Sequence, residues 1–334
     1  MTRPVTLFTG QWADLPLEQV AKLASGWGYD GLELACSGEH LDVARAVEDD
    51  AYVQERLDIF ARYNLKLFAI SNHLTGQAVC DDPIDFRHQG ILRSKVWGDG
   101  EAEGVRQRAA EELKQTGVVA RKLGVDTVVG FTGSKIWPYV AMFPPVPAEV
   151  IEAGYQDFAD RFNPIIDVFD DHGVRFALEV HPSEIAYDWH TTEKTLEAIG
   201  RRPGFGINWD PSHMAWQDID PAAFIHHFAD RIYHVDCKDT KINNADGRRG
   251  RLSSHLAWGD PRRAWDFVSA GHGSVDWEAS FRALNTIGYG GPISIEWEDP
   301  GMDRLHGAPE ALAFIRKLLW AGPTASFDAA FKQS

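Results

Sequence analysis

Short apolar runs rich in β-branched residues alternate along the whole chain with longer stretches of helical periodicity. Such runs are typical of buried strands, whereas apolar residues that recur every three to four positions are typical of amphipathic helices. Eight strand–helix units are predicted in this way. Their strands are expected at residues 5–10, 31–36, 66–71, 127–132, 175–180, 204–210, 231–236 and 292–298.

The repetition of these units predicts the fold. Several predicted helices end at a glycine shortly before the next strand, among them those ending at Gly124, Gly173 and Gly288; glycine is the usual residue just beyond a helix C-terminus. Near-continuous apolar strands alternating with helices indicate a closed parallel (β/α)₈ TIM barrel, in one domain over residues 1–334. An open doubly wound sheet is the alternative, but no G-x-G-x-x-G turn follows the first strand.

Three insertions interrupt the alternation of strands and helices, at residues 74–104, 134–147 and 238–275. The first and third are polar and follow a strand, which in a barrel places them on the carboxyl-terminal face, where active sites lie. The second is apolar. It is expected to be either a lid packed on its own barrel or a binding surface for an aromatic ligand or a second subunit.

Charge and cysteine content narrow the classes of function. The 334-residue chain carries 49 acidic and 33 basic residues, a formal charge of −16, which disfavours nucleic acid and anionic membranes and favours neutral or cationic small substrates. Its 3 cysteines have no metal-type spacing, which is typical of a reducing compartment. The start of the sequence shows no signal-peptide pattern and no run approaches a membrane span, so we expect a cytoplasmic protein.

Candidate chemistry lies at the ends of the last four strands. In the segment FALEVHP, side chains two positions apart point to the same face of a strand. The acidic and imidazole residues at these ends are Glu179 and His181, Asp210, His234 and Asp236, and Glu296 and Glu298. Together they predict an oxygen and nitrogen site for one divalent ion, with Mn²⁺ the first choice and Mg²⁺, Co²⁺ or Zn²⁺ the alternatives. The lack of thiolates argues against structural zinc.

Each of these residues also has a simpler interpretation. A lone histidine such as His234 is more often a hydrogen-bonded strand-end residue, and a lone glutamate is often an ion-pair partner. The set carries more weight than its members, because unpaired carboxylates placed together cost several kcal/mol unless a cation compensates them. Glu296 and Glu298 face the same way, and the choice between them stays open.

The motifs that carry these residues have a family likeness. The segments G-Y-D-G-L-E-L (28–34), E-V-H-P (179–182), N-W-D-P-S-H (208–213), Y-H-V-D-C-K-D (233–239) and S-I-E-W-E (294–298) resemble the xylose isomerase-like barrel superfamily of sugar isomerases and epimerases, over nearly the whole chain. The resemblance implies a (β/α)₈ barrel. It also implies a substrate-binding role for His213 and a metal held by Glu179, Asp210, His234 and Glu296.

A divalent ion that touches two vicinal oxygens of a sugar polarises a carbonyl and stabilises the enediolate formed on deprotonation of the neighbouring carbon. The resemblance implies that Glu179 and Glu296 also move protons. His181 is a further candidate base, or alternatively a neutral residue that orients Glu179. Residues expected to bind the sugar are Asn72, His73, Trp137, His213 and Lys238.

The fate of the enediolate sets the reaction. Tryptophans expected in the mouth loops are Trp12, Trp97, Trp137, Trp216, Trp258 and Trp265, and they favour a bulky aromatic substrate. In outline the chain resembles the alpha subunit of bacterial C-glycoside deglycosidases. That likeness implies a lyase that works with a small second subunit and expels the aglycone of a 3-oxo-C-glycoside by β-elimination. The alternative reaction is isomerisation or epimerisation of a keto-sugar or a sugar phosphate. The alternative assembly is a homo-oligomer.

A more remote alternative is an apurinic-site endonuclease, since the same barrel also serves those enzymes. They need additional zinc ligands and a DNA-binding face, and the net charge of −16 opposes such a face. The long insertion between His234 and Glu296 departs from compact members of the superfamily and indicates a different substrate or assembly.

Overall fold

Eight parallel strands surrounded by helices form the frame of the molecule. The computed structural model describes residues 3–140, 143–320, 328 and 331. The barrel strands are β1 (Val5–Phe8), β2 (Gly31–Ala35), β3 (Lys66–Ser71), β4 (Thr127–Gly130), β5 (Arg175–Glu179), β6 (Phe205–Trp209), β7 (Ile232–Val235) and β10 (Ile293–Ile295). They pair in the order β10-β1-β2-β3-β4-β5-β6-β7. The predicted (β/α)₈ barrel is therefore confirmed.

Closure brings the first and last parts of the chain together. Strand β10 pairs with β1, with Ile293 beside Val5. On its other side, a parallel bridge joins Asp236 to Ser294, and the Cys237 amide donates to the Ser294 carbonyl at 2.7 Å. Residues just beyond β7 are therefore fixed next to β10, which matters for the chemistry at the barrel mouth.

Helices cover the outside of the barrel. Their bounds are α1 (Leu17–Trp27), α2 (Val43–Glu48), α3 (Asp50–Arg62), α4 (His73–Cys80), α5 (Phe86–Gln89), α6 (Ser94–Trp97), α7 (Ala102–Leu123), α8 (Ala148–Asp171), α9 (Trp189–Ala198), α10 (Pro211–Ala215), α11 (Pro221–His227), α12 (Trp277–Thr286) and α13 (Arg304–Arg316), with single helical turns at Gly10–Trp12, Trp137–Tyr139 and Ser253–His255. Within the described residues, no helix combines the length and apolar character needed to cross a bilayer.

Local sequence explains how the long helices start and stop. Helix α7 begins after Glu101, whose carboxylate accepts from the amides of Glu103 and Gly104, and it ends at Gly124 with φ 77°. A left-handed residue at that position is the common helix terminus, and glycine adopts it without a steric cost. The chain then turns directly into β4, so the cap sets where the strand begins.

The predicted insertions take different forms. Residues 74–104 contribute most of α4 together with the short helices α5 and α6. Residues 238–275 contain an antiparallel hairpin of β8 (Asp239–Ile242) and β9 (Trp265–Val268), which lies outside the barrel sheet. In the 134–147 segment, Ala141 and Met142 lie outside the described residues. The hairpin follows β7 and therefore stands at the carboxyl end of the barrel.

Two kinds of core hold the barrel. Between helices and strands, the rings of Phe162, Phe176 and Phe205 pack with centroids 5.5 to 6.2 Å apart. Inside the barrel, the small buried residues Ala69, Val129 and Ala177 form a separate cluster. Large apolar side chains thus fill the outer layer, while the interior leaves space for the polar side chains that point inward near the mouth.

Candidate metal centre and active site

The carboxyl ends of the strands open into a cavity of about 360 Å³. Ionisable side chains that line it include His73, Glu179, His181, His213, Lys238 and Glu296. In a (β/α)₈ barrel the loops after the strands meet at this end, and a pocket with several convergent ionisable groups is the expected place for catalysis.

Four carboxylates sit at equivalent strand ends. Glu179 is the last residue of β5, and Asp210, Asp236 and Glu296 directly follow β6, β7 and β10. All four are buried, with at most 7% of any residue exposed. Oxygens of Glu179, Asp236 and Glu296 lie within 4.8 Å of one another. We call these four residues the upper carboxylate layer.

The Lys238 ammonium lies inside this layer. Its Nζ is 2.8 Å from Glu296 Oε2, 3.1 Å from Asp210 Oδ2 and 3.7 Å from Glu179 Oε1. Burial opposes the charged form, but these three carboxylates raise the pKa of Lys238 well above its ordinary value. The lysine is therefore a permanent cation that contacts three of the four acids.

Two histidines flank Glu179. His73 Nε2 lies 3.0 Å from Glu179 Oε2, and His213 Nε2 lies 3.1 Å from Glu179 Oε1 and 3.2 Å from Asp210 Oδ2. Although burial opposes ionisation, Lys238, His213 and His73 hold the pKa of Glu179 well below its ordinary value. Burial likewise opposes protonation of His213, but Asp210 and Glu179 raise its pKa to about 9. Glu179 is thus ionised and His213 protonated at neutral pH.

His181 has a different electrostatic environment. Its ring lies 4.0 Å from the His213 ring and 4.9 Å from the Phe131 ring. Burial and the neighbouring His213 hold the pKa of His181 well below its ordinary value, and Nδ1 is buried without a hydrogen bond from the described residues. A neutral imidazole facing the cavity is able to accept a proton.

His234 lies deeper in the barrel than the upper carboxylate layer. Its Nε2 is 2.8 Å from Glu33 Oε2, and it pairs in register with Asn208, whereas the Asp236 amide bonds to the Trp209 carbonyl. Side chains two residues apart on a strand share a face but differ in depth by about 6.6 Å. Strand β7 therefore presents Asp236 toward Glu179 and Glu296. Asp236 also forms a second potential metal-binding group with Glu33 and His234, whose Nε2 lies 3.7 Å from Asp236 Oδ1, so the predicted ligand His234 stays a prediction.

The sequence analysis included Asp236 among the strand-end residues, but the family resemblance did not assign it as a metal ligand. Asn208 Nδ2 donates to its Oδ2 at 2.6 Å, which orients the carboxylate as residues around a metal ligand commonly do. Its position in the sequence could have identified it. Asp236 lies two residues after His234 and directly follows β7, just as Asp210 directly follows β6.

The structure also separates Glu296 from Glu298. Gln11 Nε2 donates to Glu296 Oε1 at 2.7 Å and to Glu298 Oε1 at 2.9 Å, so both glutamates approach the mouth. Only Glu296 of the two belongs to the group with Glu179 and Asp236 within the described residues. Gln11, from the turn after β1, was not anticipated from the sequence.

The remaining sequence-predicted sugar-binding residues divide into two groups. His73, His213, Lys238 and Asn72 line the cavity, although the Asn72 amide donates to Thr116 Oγ1 at 2.9 Å and is turned toward α7. Trp137 packs edge-on against Tyr187 at 5.2 Å and lies outside the cavity lining given by the described residues.

The donor set fits a hard divalent cation. Glu179 Oε1, Asp210 Oδ2 and Asp236 Oδ1 are buried and receive no well-formed hydrogen bond from any residue that the structure describes. Burial and the neighbouring Glu33, Glu296 and Glu179 raise the pKa of Asp236 well above its ordinary value, since a further negative charge there lacks compensation. Oxygen donors arranged in this way suit Mn²⁺ or Mg²⁺.

Comparison with known proteins agrees with this architecture. A family model described as the xylose isomerase-like TIM barrel matches residues 21–318. The chain belongs to this family. Among curated proteins, it is 25% identical to the uncharacterized protein YfiH of Bacillus subtilis over 322 residues, which cover 91% of this chain and 93% of the relative.

Solved structures share the fold of this family member. The probable 3-DHS dehydratase AsbF from Bacillus anthracis superposes with a TM-score of 0.66 at 17% identity, over 94% of this chain and 98% of the other. The 3-keto-D-glucoside 4-epimerase YcjR from E. coli gives a TM-score of 0.65 at 14% identity, over 94% and 99% of the two chains. Barrels of this shape therefore include proteins described as an epimerase and a probable dehydratase.

Proposed function

We propose that this chain is a divalent-metal-dependent enzyme that removes the proton beside the carbonyl of a keto-sugar and returns it, as an isomerase or epimerase. The observation that carries the proposal is the upper carboxylate layer, in which four buried acids converge and Glu179 and Glu296 line the cavity. The names of AsbF and YcjR, a probable dehydratase and an epimerase, fit an enzyme that acts on a carbonyl compound.

In this proposal Glu179, Asp210, Asp236 and Glu296 hold the ion, with Mn²⁺ the first choice. His234 remains the alternative ligand from β7. When bound, the ion supplies Lewis-acid polarisation of the substrate carbonyl. Burial and the neighbouring carboxylates raise the pKa of Glu296 to about 8 despite Lys238, whereas the pKa of Glu179 is lowered. In the protein without the ion, Glu296 is therefore the carboxyl group of this pair that holds a proton near neutral pH.

The other residues of the cavity bind and orient the substrate. Lys238 and His213 carry positive charge next to Glu179, so they would donate hydrogen bonds to sugar hydroxyl or carbonyl oxygens. His73 would do the same from the opposite side of Glu179. Neutral His181 is the third candidate proton carrier. Its ring packs between the tilted Phe131 ring and the edge-on His213 ring, which fixes its orientation toward the cavity.

Two measurements test this function. Purified protein should contain about one equivalent of divalent metal after incubation with Mn²⁺, and a chelator should abolish turnover until Mn²⁺ is restored. In D₂O, a panel of free keto-sugars, 3-oxo hexoses and 3-oxo alkyl and aryl glycosides should include one that gains deuterium at the carbon beside its carbonyl. No bound metal under metal-replete conditions, or no exchange with any member of the panel, would count against the proposal.

His181→Ala provides a further test of the proton-transfer step. We expect slow exchange with metal content retained, because His181 acts on the substrate. Loss of metal from this variant would instead make His181 a ligand or a support of one. Glu112→Gln is the matched control: Glu112 is 7% exposed, its Oε1 accepts from Thr75 at 2.9 Å, and it is not among the described residues that line the cavity.

A lyase is the second candidate, because the same deprotonation followed by loss of a β-substituent cleaves the substrate. The aromatic residues of the 238–275 insertion favour it, since Trp258 and Phe267 line the cavity and suit a bulky leaving group. Release of an aglycone from a 3-oxo-C-glycoside, above all together with a small co-purifying protein, would select the C-glycoside deglycosidase reaction. Exchange without release would select isomerisation or epimerisation.

A further inference from the structure

The insertion after β7 builds one wall of the cavity. Strand β9 of its hairpin carries Phe267, whose ring lies 5.5 Å from the His213 ring and 5.0 Å from Lys238 Nζ. The loop that precedes β9 brings Trp258 against Phe267, with ring centroids 5.0 Å apart. This aromatic wall, Trp258 and Phe267, therefore contacts His213 and Lys238 through Phe267.

Trp258 is exposed yet held in place. It is 57% exposed, while the buried Arg263 guanidinium lies 3.9 Å from its ring centroid and donates to the Leu256 carbonyl at 2.8 Å. Asp266, 3.7 Å from Arg263, accepts from the Gly259 amide at 2.6 Å. A large exposed aromatic ring fixed by a buried ion pair is typical of a preorganised binding surface.

Glycine at position 259 allows this loop to close on the barrel. Gly259 has φ 80°, and a Cβ there would lie 3.1 Å from the side chain of Pro300. A larger residue would be strained in that left-handed conformation and would crowd Pro300. The close approach of the loop and Pro300 encloses a second hollow beside the main cavity.

This second hollow has a volume of about 290 Å³ and shares Gln11, Trp258, Phe267 and Glu298 with the first. Trp297 and Pro300 add apolar surface. The charged residues of the hollow are Asp266, Glu298 and Asp299 together with Arg304, whose guanidinium is paired with Asp14, so the hollow has an acidic character. At the junction, Gln11 Oε1 is buried and has no hydrogen-bond partner in the described part of the chain. An acceptor there is available to a hydroxyl group of a ligand that spans both hollows.

We infer that the second hollow is a binding subsite for a flat apolar ring attached to the sugar, so that the substrate is an aryl glycoside rather than a free monosaccharide. The inference rests on the proposed function, which places the sugar over the upper carboxylate layer. An uncharged aromatic ring suits the apolar residues of the hollow, whereas its acidic residues repel a phosphate group. The substrate class is therefore narrower than keto-sugars in general.

The test is a comparison of affinities measured by calorimetry. Phenyl and methyl β-D-glucopyranosides carry no carbonyl and are not expected to turn over, so binding is measured directly on the Mn²⁺-loaded protein. Matched pairs from galactose and xylose cover other sugar configurations. We expect at least one phenyl glycoside to bind about tenfold more tightly than its methyl counterpart, because the ring buries apolar surface. Cellobiose distinguishes an aromatic ring from a second sugar, and should bind like the methyl glycoside.

Variants locate the effect. Trp258→Ala should remove the preference for phenyl over methyl, and Trp258→Phe should restore most of it. Leu252→Ala is the control, since Leu252 is 88% exposed on the same insertion and does not line either hollow among the described residues. Equal affinity for every phenyl and methyl pair, no binding of any glycoside, or a preference unchanged by Trp258→Ala would overturn the subsite. Deuterium exchange tests the proposed function separately, whatever the glycoside affinities are.

Discussion

Two layers of buried acids and histidines lie one above the other in this barrel, and they differ in how completely they are paired. The lower layer consists of Glu33 and His234. His234 Nε2 lies 2.8 Å from Glu33 Oε2, and Glu33 also accepts a hydrogen bond from Ser71. In the upper carboxylate layer, Glu179, Asp210 and Asp236 each keep an oxygen with no well-formed hydrogen bond from the described residues. Both layers are equally buried.

The difference in hydrogen bonding, and not proximity, distinguishes the candidate ligand-binding layer from the other. An imidazole beside a carboxylate is present in both layers, so proximity alone does not separate them. Buried polar groups are normally satisfied, and the lower layer follows this rule through the contact between His234 and Glu33. In the upper layer, oxygens of Glu179, Asp210 and Asp236 depart from it, and Glu179 lines the cavity, which is the expected mark of a group that receives an additional ligand.

The largest expected effect comes from a ligand of the upper layer. Glu179→Gln removes a charged oxygen from the proposed ion, and we expect turnover to fall by about a thousandfold or more, since a bound metal supplies several kcal/mol of transition-state stabilisation. Bound Mn²⁺, measured by elemental analysis, should fall with it. Retained metal with unchanged turnover would show that the upper layer is not the catalytic centre. The buried Glu112→Gln variant should match the wild type in both measurements.

Asp236→Asn and His234→Gln test the difference between the two layers, because one is expected to affect metal binding and the other the stability of the fold. The first should weaken metal binding by about a hundredfold while leaving unfolding close to wild type, because Asp236 Oδ1 has no well-formed hydrogen bond to lose. The second should destabilise the fold by about 3–5 kcal/mol, since it leaves Glu33 buried without its partner. Metal titration and urea unfolding of both variants provide the measurements. The reverse pattern would return the ligand role to His234, as the family resemblance implied.

A third prediction concerns acid stability. Although burial opposes it, His234 and the hydroxyls of Ser294 and Ser71 lower the pKa of Glu33 to about 2. A carboxyl with a lowered folded-state pKa stabilises the fold above its unfolded pKa of about 4.3, and this contribution is lost as pH falls toward 2. Glu33→Gln should therefore cost about 3–5 kcal/mol at pH 7 and much less near pH 3, by urea unfolding. An equal cost at both values would refute the ionised pair.

Much of the fold could be predicted from the sequence because its signals are local and repeated. Each barrel strand is an apolar run, and glycine caps such as Gly124 mark where helices end. The eight strand positions agree with the structure to within a few residues. The hairpin of β8 and β9 was not anticipated, since its register depends on contacts across a long loop: Asp239 pairs with Val268 and Ile242 with Trp265.

The site residues that could be predicted are those identified by their position at the end of a predicted strand. Glu179, Asp210 and Glu296 were selected on that basis and lie in the upper layer. The depth of a residue along the strand was not predictable, because the register between β6 and β7 shifts between Ile207 and Asn208. That shift sets the relative depths of His234 and Asp236 at the end of β7. Gln11 and Phe267 were also beyond sequence reasoning, since they reach the cavity through tertiary contacts alone.

The smallest expected effect concerns whether Lys238 competes with the metal ion. Its ammonium contacts Glu296, Asp210 and Glu179, so it competes with a metal ion for the same oxygens. Lys238→Met should therefore bind Mn²⁺ about tenfold more tightly, because a repelling charge is removed, even though turnover falls with the loss of a substrate contact. Calorimetric titration of apo-protein measures this affinity. Lys241→Met, an exposed change on the same hairpin, should leave it unaltered. Weaker Mn²⁺ binding by Lys238→Met would mean instead that the lysine holds the carboxylates in position for the ion.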